Sequence, residues 1–417
     1  MGARSEIQTT PEIGVELEVQ IERILPGGVG LAHANGGTLF VSLAAPGDVV
    51  RVTIEQVRGK VAFAAIKEII RASAVRVEPP CPYFGRCGGC DFQQISYAAQ
   101  LETKAEIIRD CLRRLGGIKE LPEITVMPAP SPWHYRARAE WQFDPVTQSL
   151  GYYRRNSRQV CDVAECGVLV PPLERQLEEL RRQMQAGTLP DDAREFKAAA
   201  GDEGVSLAPP LTKNAPLPTF EPRSGTLSEA PAELTRTIAG EQYHFDAEAF
   251  FQTNLDLVPA LIEFAIGEAR GNAAIDLYCG VGLFTLPLAR RFGRVVGIEA
   301  NRRGTEFARR NLKIAELKNV EIVTSRVGDW LKERSRAFRS VDFLLLDPPR
   351  SGAENRDIEG ILALHPARIS YVSCDPATLA RDLKKLIAGG YSFDSVTAFD
   401  MFPQTHHVET VVHLLAA

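Results

Sequence analysis

Three of the chain's eight cysteines lie close together on the stretch "CPYFGRCGGC", with the spacing C-x5-C-x2-C. We expect a reducing cytosol, because the polar N-terminus lacks the apolar core of a secretion signal. Cysteines clustered in such a compartment usually bind metal rather than form disulfides. A tetrahedral ion or a cubane cluster takes four ligands, so Cys81, Cys87 and Cys90 need one more. Cys161 and Cys166 are the candidates, and the spacing is compatible with zinc or with iron–sulfur.

A different cysteine has the position of a nucleophile. Cys374 ends the strand-like run "ISYVSC" and is followed by Asp-Pro and a helical pattern. A thiol at the N-terminus of a helix has a depressed pKa when the helix dipole dominates its surroundings, and the thiolate is the reactive form. We therefore predict a reactive Cys374, the alternative being a small core residue at the end of a strand.

A ligand site is predicted beside this cysteine. "DLYCGVGLFTLPLA" reads as a buried strand, a glycine turn and a helix, and the next strand ends at Glu299. In open α/β sheets ligands bind outside the carboxyl ends of the strands, and an acid at this position accepts hydrogen bonds from ribose hydroxyls. The spacing D-x-x-x-G-x-G differs from the dinucleotide fingerprint and resembles the first motif of S-adenosylmethionine-dependent methyltransferases. "VDFLLLDPPR" adds Asp347 at the end of another strand.

These residues require an architecture of three parts. Short alternating runs broken by Gly and Pro indicate a small OB-like β-barrel over 12–72. A central α+β domain carrying the cysteine loop is predicted over 73–245, with 186–232 as a mobile insertion because it is rich in Pro, Ala, Gly and Ser. Strand–helix alternation then predicts a doubly wound α/β domain over 246–417.

Composition excludes several classes of protein. The chain has 417 residues, 45% hydrophobic and 24% charged, with a formal net charge of −5. No apolar run approaches the roughly 20 residues that span a bilayer. The acidic total argues against a surface coated in basic charge but permits a local basic groove. We expect a cytoplasmic protein with no membrane association and no obligate protein partner.

Five motifs in order resemble the RNA uridine-5 methyltransferase family: "FFQTN", "DLYCGVGLFT", "DPPR", "SCDPATLARDL" and "MFPQTHHVET". The resemblance implies a multidomain α/β protein: a TRAM-type barrel, a cluster-bearing central domain and a Rossmann-like methyltransferase domain. It also implies that Cys374 adds to carbon 6 of uracil and that Glu409 later removes the proton from carbon 5. His406 and His407 are rival bases on titration grounds, since histidine titrates near neutral pH.

The same resemblance assigns the donor site. It implies that Gln252, Tyr278, Glu299, Asp329 and Asp347 contact S-adenosylmethionine, with Asp329 near the adenine amino group. Leu283 stands where some members of the family have Asn, which puts one donor contact in doubt.

One branch of this family carries a 4Fe–4S cluster, and similarity to it implies the ligands Cys81, Cys87, Cys90 and Cys166. Cys161 is then a packing residue, and zinc is the alternative occupant. The branch favours 23S ribosomal RNA as substrate, with transfer RNA as the alternative. Arg350 stands where related cytosine-5 enzymes have a cysteine, which favours uracil. A non-catalytic RNA-binding iron–sulfur module is the competing hypothesis from another class.

RNA contacts are predicted on the central strands. Bases stack on aromatic side chains and arginines neutralise phosphates, and side chains two apart on a strand share a face. The candidates in "WHYRARAEWQF" and "YYRRNSRQ" are Trp133, Tyr135, Arg136, Arg138, Trp141, Arg154, Arg155 and Arg158.

Overall fold

The structure is a computed structural model, and it describes residues 12–211, 233–334, 338 and 340–417. Its strands form four sheets, of six, five, two and eight strands. Each sheet is built from strands that are consecutive in the chain, except that the short strand β7 (Val126–Met127) joins the last sheet. None of the helices among these described ranges is long and apolar enough to cross a membrane.

The N-terminal sheet confirms the predicted all-β unit. Its six strands run in the order β1-β5-β6-β4-β3-β2. All neighbours are antiparallel except β4 and β6. Inward side chains alternate with outward ones along the long strands, and the inward set forms an apolar core. The strands are β1 (Glu16–Gln20), β2 (Arg23–Leu25), β3 (Val29–Ala34), β4 (Gly37–Val41), β5 (Val49–Arg58) and β6 (Val61–Arg71).

The central sheet has the order β10-β9-β8-β11-β12 and carries the helix α2 on one face. Trp141 and Phe196 are fully buried between sheet and helix. The strands are β8 (Arg138–Asp144), β9 (Ser149–Tyr153), β10 (Val160–Asp162), β11 (Glu195–Ala200) and β12 (Val205–Ala208), and α2 is Pro171–Ala186.

The prediction of a mobile insertion over 186–232 is wrong for its first half. β11 pairs with β8 and with β12, so both strands belong to the central sheet. The short runs "EFKAAA" and "VSLA" are largely buried there, and the surrounding Pro and Gly hid them in the composition. The rest of the predicted insertion, 212–232, lies outside the described residues.

The C-terminal sheet confirms the predicted open α/β architecture. Its order is β17-β16-β15-β18-β19-β21-β20-β7, and β21 runs antiparallel between β19 and β20. The strands are β7 (Val126–Met127), β15 (Gly271–Leu277), β16 (Phe292–Glu299), β17 (Val320–Thr324), β18 (Phe343–Leu346), β19 (Arg368–Ser373), β20 (Tyr391–Phe399) and β21 (Glu409–Ala416). Helices flank it: α3 (Val258–Ile266), α4 (Thr285–Ala289), α5 (Arg302–Ile314), α6 (Val327–Arg334), α7 (Asn355–Leu364) and α8 (Pro376–Ala388).

Three elements predicted as central, a helix, a short strand and a hairpin, instead join the last sheet or pack on its helices. The helix α1 (Tyr97–Arg114) lies against α8, and β7 extends the sheet at the β20 edge. The hairpin of β13 (Leu234–Ile238) and β14 (Glu241–Phe245) packs on α5, and the hydroxyl of Tyr243 donates to the carbonyl of Leu283 at 3.0 Å.

A buried ion pair joins α1 to the loop that precedes β21. Lys104 Nζ lies 2.5 Å from Asp400 Oδ1, and both side chains are fully excluded from solvent. Lys104 also donates to the carbonyl of Phe402 at 3.1 Å. Burial lowers the pKa of Lys104, and the carboxylate of Asp400 counters that shift.

We predict that Asp400→Ala lowers the free energy of unfolding by about 3–5 kcal/mol, because it leaves Lys104 uncompensated in the core. Urea denaturation would measure this. The double variant Lys104→Met/Asp400→Ala should recover most of the loss, since it removes both charges. Glu306→Ala, which cuts an exposed pair with Arg302, serves as the control and should cost less than about 0.5 kcal/mol. A cost for Asp400→Ala as small as that of the control would contradict a stabilising role of the pair.

Candidate functional site: the carboxyl edge of the large sheet and the cysteine pocket

A glycine turn follows β15 at the carboxyl edge of the sheet. Gly280 and Gly282 have φ of +54° and +94°, in the left-handed region that other residues rarely adopt. Glu299 at the end of β16 binds this turn, because its Oε2 accepts from the amide of Gly280 at 3.1 Å. Its Oε1 accepts from the amide of Asn301 at 2.6 Å. Glu299 therefore lies beside the glycine turn, as the sequence predicts.

Tyr278 opens the same turn with a φ of +64°. Its hydroxyl donates to Asp357 Oδ2 on α7 at 2.6 Å. Asp329 on α6 lies nearby and accepts from Arg356 at 2.9 Å, with about half of its side chain exposed. Both residues thus lie on the α6–α7 side of the turn.

Buried carboxyl groups collect at this edge. Asp276 accepts from the hydroxyl of Thr285 at 2.5 Å, and burial raises the pKa of Asp276 to about 7. Burial also raises the pKa of Asp347, directly after β18, to about 7. Gln252 is buried as well, on the segment between β14 and α3. A cluster of buried acids of this kind favours a positively charged ligand.

Strand register brings Cys374 and Glu409 together. β19 and β21 are antiparallel with Ser373 opposite Thr410. One step further along each strand, Cys374 follows β19 and Glu409 begins β21, so the two face each other. Glu409 is 3% exposed and its Oε1 has no hydrogen-bond partner among the described residues. The half-buried thiol of Cys374 and the buried carboxyl group of Glu409 are therefore neighbours at this edge of the sheet.

The surroundings of Cys374 contradict the predicted depression of its pKa. Burial raises the pKa of this thiol to about 12, and the carboxyl groups of Glu409 and Asp347 add to the rise, while Arg350 opposes it. The helix N-terminus is in place, but its N-cap residue is Asp375, a further acid that accepts from the amide of Thr378 at 2.8 Å. Desolvation and negative neighbours thus outweigh the helix dipole.

His406 and His407 differ in their contacts and in their surroundings. His406 Nδ1 lies 2.5 Å from Asp91 Oδ2, on the segment that follows the cysteine loop. Burial, then the neighbouring His406 and Arg350, lowers the pKa of His407 to about 2, so this ring stays neutral and is a weak proton acceptor. Burial and Asp347 raise the pKa of Glu409 well above its usual value. An ionised Glu409 is consequently the stronger base.

The four cysteines predicted as ligands line a single pocket. Cys81, Cys87 and Cys90 come from the loop, and Cys166 approaches from the segment after β10. Cys161 is instead buried in the core of the central sheet. In the part of the chain that the structure describes, no three Cys, His, Asp or Glu side chains gather as tightly as around a single metal ion.

Three of the four thiols are strongly affected by burial, and one cationic side chain lines the pocket. Burial raises the pKa of the Cys87 thiol to about 11 and that of Cys90 to about 12. Burial also raises the pKa of Cys166, whereas Arg136 acts to lower it. Arg136 lines the pocket, and its Nε donates to the carbonyl of Arg138 at 2.9 Å. The sulfur donors and the guanidinium fit a group that carries negative charge together with its thiolates.

Several residues predicted to contact RNA are structural. Arg138 donates to the carbonyls of Asp246 and Ala247 at 3.2 and 2.9 Å. The hydroxyl of Tyr135 donates to the carbonyl of Pro403 at 2.9 Å, and Trp141 is fully buried. Period-two alternation predicted that Arg136 and Arg138 point the same way, toward RNA, but Arg136 lines the cysteine pocket and Arg138 binds the segment 246–247.

A smaller basic surface remains at the turn after β9. Tyr153, Arg154 and Arg158 are exposed there, next to exposed Arg86 on the cysteine loop. The amide of Arg155 donates to the carbonyl of Arg86 at 2.9 Å, so the loop and the turn are bonded together. Of the remaining candidates, Trp133 lines the cysteine pocket.

Sequence reasoning missed three residues of this region. Asp91, Gln100 and Lys104 all contact the segment 400–406, which leads to Glu409. They lie outside the motifs, and their partners are about 300 positions away in the chain. The only signal in the sequence was that Gln100 and Lys104 are polar residues of the amphipathic helix α1, and polar residues are ordinary in a surface helix.

Comparison with known proteins agrees with this geometry. The profile of the tRNA (uracil-5-)-methyltransferase family matches residues 233–417, and that of the TRAM domain matches residues 12–67. The 23S rRNA (uracil(1939)-C(5))-methyltransferase of Vibrio parahaemolyticus is 31% identical, covering 94% of each chain. The enzyme of the same name from Alkalilimnicola ehrlichii is 33% identical, covering 94% of this chain and 95% of its own.

A solved structure is also similar over nearly the whole length. The tRNA (uracil-54, C5)-methyltransferase of Pyrococcus abyssi, in complex with S-adenosyl-L-homocysteine, superposes with a TM-score of 0.72 at 25% identity. The match covers 96% of this chain and all of the other. These similarities confirm the resemblance read from the motifs: the chain belongs to the family of S-adenosylmethionine-dependent RNA (uracil-5-)-methyltransferases.

Proposed function

We propose that the protein methylates carbon 5 of one uridine in 23S ribosomal RNA. The main observation that supports this chemistry is that Cys374 and Glu409 face each other beside a cluster of buried acids. Ribosomal RNA is favoured because the relatives at 31% and 33% identity carry that substrate in their names. Transfer RNA is the second candidate, because the similar Pyrococcus abyssi structure is a tRNA enzyme.

Cys374 starts the reaction in this proposal. Carbon 5 of uracil is a poor nucleophile, and addition of the Cys374 thiolate to carbon 6 makes an enolate with electron density on carbon 5. S-adenosylmethionine supplies an electrophilic methyl group when bound. Because burial and neighbouring acids hold the thiol protonated, a cation in the pocket would lower the pKa of Cys374 and favour the thiolate.

Glu409 completes the reaction. After methyl transfer, the carboxylate takes the proton from carbon 5, the bond between Cys374 Sγ and carbon 6 breaks, and the double bond of the ring returns. The raised pKa of Glu409 suits this task, since it makes the ionised carboxylate a stronger base. Its hydrogen-bond-free Oε1 leaves an oxygen available for the proton.

We assign the donor site to Gln252, Tyr278, Glu299, Asp329 and Asp347. The acids around the glycine turn suit the positive sulfonium and amino groups of the donor. Glu299 occupies the strand end at which ribose hydroxyls are bound in this class of sheet. Asp329 would reach the adenine from α6. Arg350 stands in place of a second cysteine, which favours uracil over cytosine as the target base.

We also propose a 4Fe–4S cluster bound by Cys81, Cys87, Cys90 and Cys166. The support is the meeting of these four thiols in one pocket with Arg136. Each iron of a cubane takes one thiolate, so its sulfur ligands stand further apart than those around one zinc ion. Zinc is the alternative occupant.

A cytoplasmic location and the domain limits 12–72, 73–245 and 246–417 complete the proposal, with the β13–β14 hairpin packed on the last domain.

The protein is expected to transfer label from methyl-labelled S-adenosylmethionine to 23S ribosomal RNA from cells that lack its gene, and far less to transfer RNA from the same cells. The product should be 5-methyluridine at a single position. Label found in transfer RNA alone would reject ribosomal RNA as the substrate but would still support methylation of uridine.

Two variants separate the catalytic roles in the same assay. Cys374→Ala should reduce transfer by about 10³-fold or more, because the reaction loses its nucleophile. Glu409→Gln should stop at a covalent enzyme–RNA adduct, visible as a shifted band in a denaturing gel. Ordinary turnover by Glu409→Gln would reject Glu409 as the base.

Iron and acid-labile sulfide are expected at about four atoms each per chain in anaerobically purified protein. Cys166→Ser should lose the iron and its broad visible absorption. Cys161→Ser is the matched control, because Cys161 lies on the same strand–loop segment but in the apolar core, and it should keep the iron. Zinc at one atom per chain without iron would overturn the cluster assignment.

A further inference from the structure

The segment 400–408 leads directly into Glu409 and is held from two sides. From α1, Lys104 binds Asp400 and the carbonyl of Phe402. Also from α1, Gln100 and Gln404 exchange hydrogen bonds at 3.0 Å in both directions. These contacts are buried, so the first half of the segment is firmly placed.

The second side is the end of the cysteine loop. Asp91 directly follows Cys90, and its carboxylate accepts from the amide of His406 at 2.8 Å and lies 2.5 Å from His406 Nδ1. The amides of Asp91 and Phe92 both donate to the carbonyl of Gln404, at 3.1 and 3.0 Å. Four hydrogen bonds thus join the two residues after a cluster-site cysteine to the turn that ends three residues before Glu409.

The N-terminal barrel closes over the same contact. Gly28, in the turn between β2 and β3, packs so tightly that a Cβ there would lie 3.1 Å from Asp91 Oδ2 and 3.1 Å from His406 Cβ. Its φ of +75° also disfavours any other residue. All three parts of the chain therefore meet at the Asp91–His406 pair.

We propose that Asp91 is a positioning residue for Glu409: the cysteine loop, through Asp91 and His406, holds the segment that aims the base at carbon 5. The inference rests on the proposed function, in which Glu409 takes the carbon-5 proton while the bond from Cys374 Sγ to carbon 6 breaks. Cys374 follows β19 rather than the segment 400–408, so addition and methyl transfer depend on this contact less than proton removal by Glu409 does. Disturbing the cysteine loop consequently slows proton removal before it slows methyl transfer.

The test compares covalent adduct and turnover in Asp91→Ala and His406→Ala, with iron content measured on the same samples. Both variants should accumulate methylated enzyme–RNA adduct at least tenfold above wild type, with kcat reduced 10- to 100-fold and KM for RNA within threefold. Asp91→Asn, which keeps an acceptor for the His406 amide, should restore part of kcat. His406→Ala removes the bond between the imidazole and Asp91 and leaves the cysteine loop unchanged, so it remains informative if Asp91→Ala loses iron.

Glu78→Ala is the matched control, since Glu78 is an acid three residues before Cys81, as Asp91 is an acid directly after Cys90, but it is exposed. It should behave as wild type. Adduct in Glu409→Gln but in neither Asp91→Ala nor His406→Ala would overturn the positioning role alone. Absence of methyl transfer by wild type together with absence of adduct in Glu409→Gln would instead reject the proposed function.

Discussion

The register between β19 and β21 is the constraint on which the site depends. Ser373 faces Thr410, and this alignment alone brings a thiol and a carboxyl group that are 35 positions apart in the chain into one corner. Because side chains alternate along a strand, a slip of one residue would turn Glu409 to the opposite face. β21 is fixed by β19 on one side and by β20 on the other, where Phe399 faces Glu409. Because β21 is antiparallel to its neighbours, it begins at the edge where they end, and its first residue, Glu409, therefore lies at that edge.

The surroundings at that edge disfavour the ionised forms of the carboxyl groups and of the thiol. Asp276, Asp347 and Glu409 are buried close together, and their pKa values rise in consequence. The thiol of Cys374 responds in the same way. Buried carboxyl groups and thiols favour their protonated forms, and the positive charge of a bound methyl donor would oppose this preference.

The site was predictable from sequence where it depends on strand ends, and unpredictable where it depends on contacts between distant segments. Glu299, Asp347 and Cys374 each end an apolar run, and the ends of parallel strands meet at one edge, so their proximity follows from the pattern. Alternation predicted that Arg136 and Arg138 point the same way, but it carries no information on what the two side chains contact. The bond from Asp91 to His406 spans 315 positions without any periodic pattern. Likewise, β11 and β12 were hidden by the Pro and Gly around them, because their pairing with β8 is a tertiary property.

The most direct test of the Cys374–Glu409 chemistry uses RNA that carries tritium on carbon 5 of uridine and carbon-14 in the donor methyl group. The account predicts one tritium released to water for each methyl group retained in RNA, because the methyl group replaces that hydrogen. Cys374→Ala should lose both signals together. Methyl transfer by the wild-type protein with tritium still on the RNA would contradict the account, because it would place the methyl group on another atom.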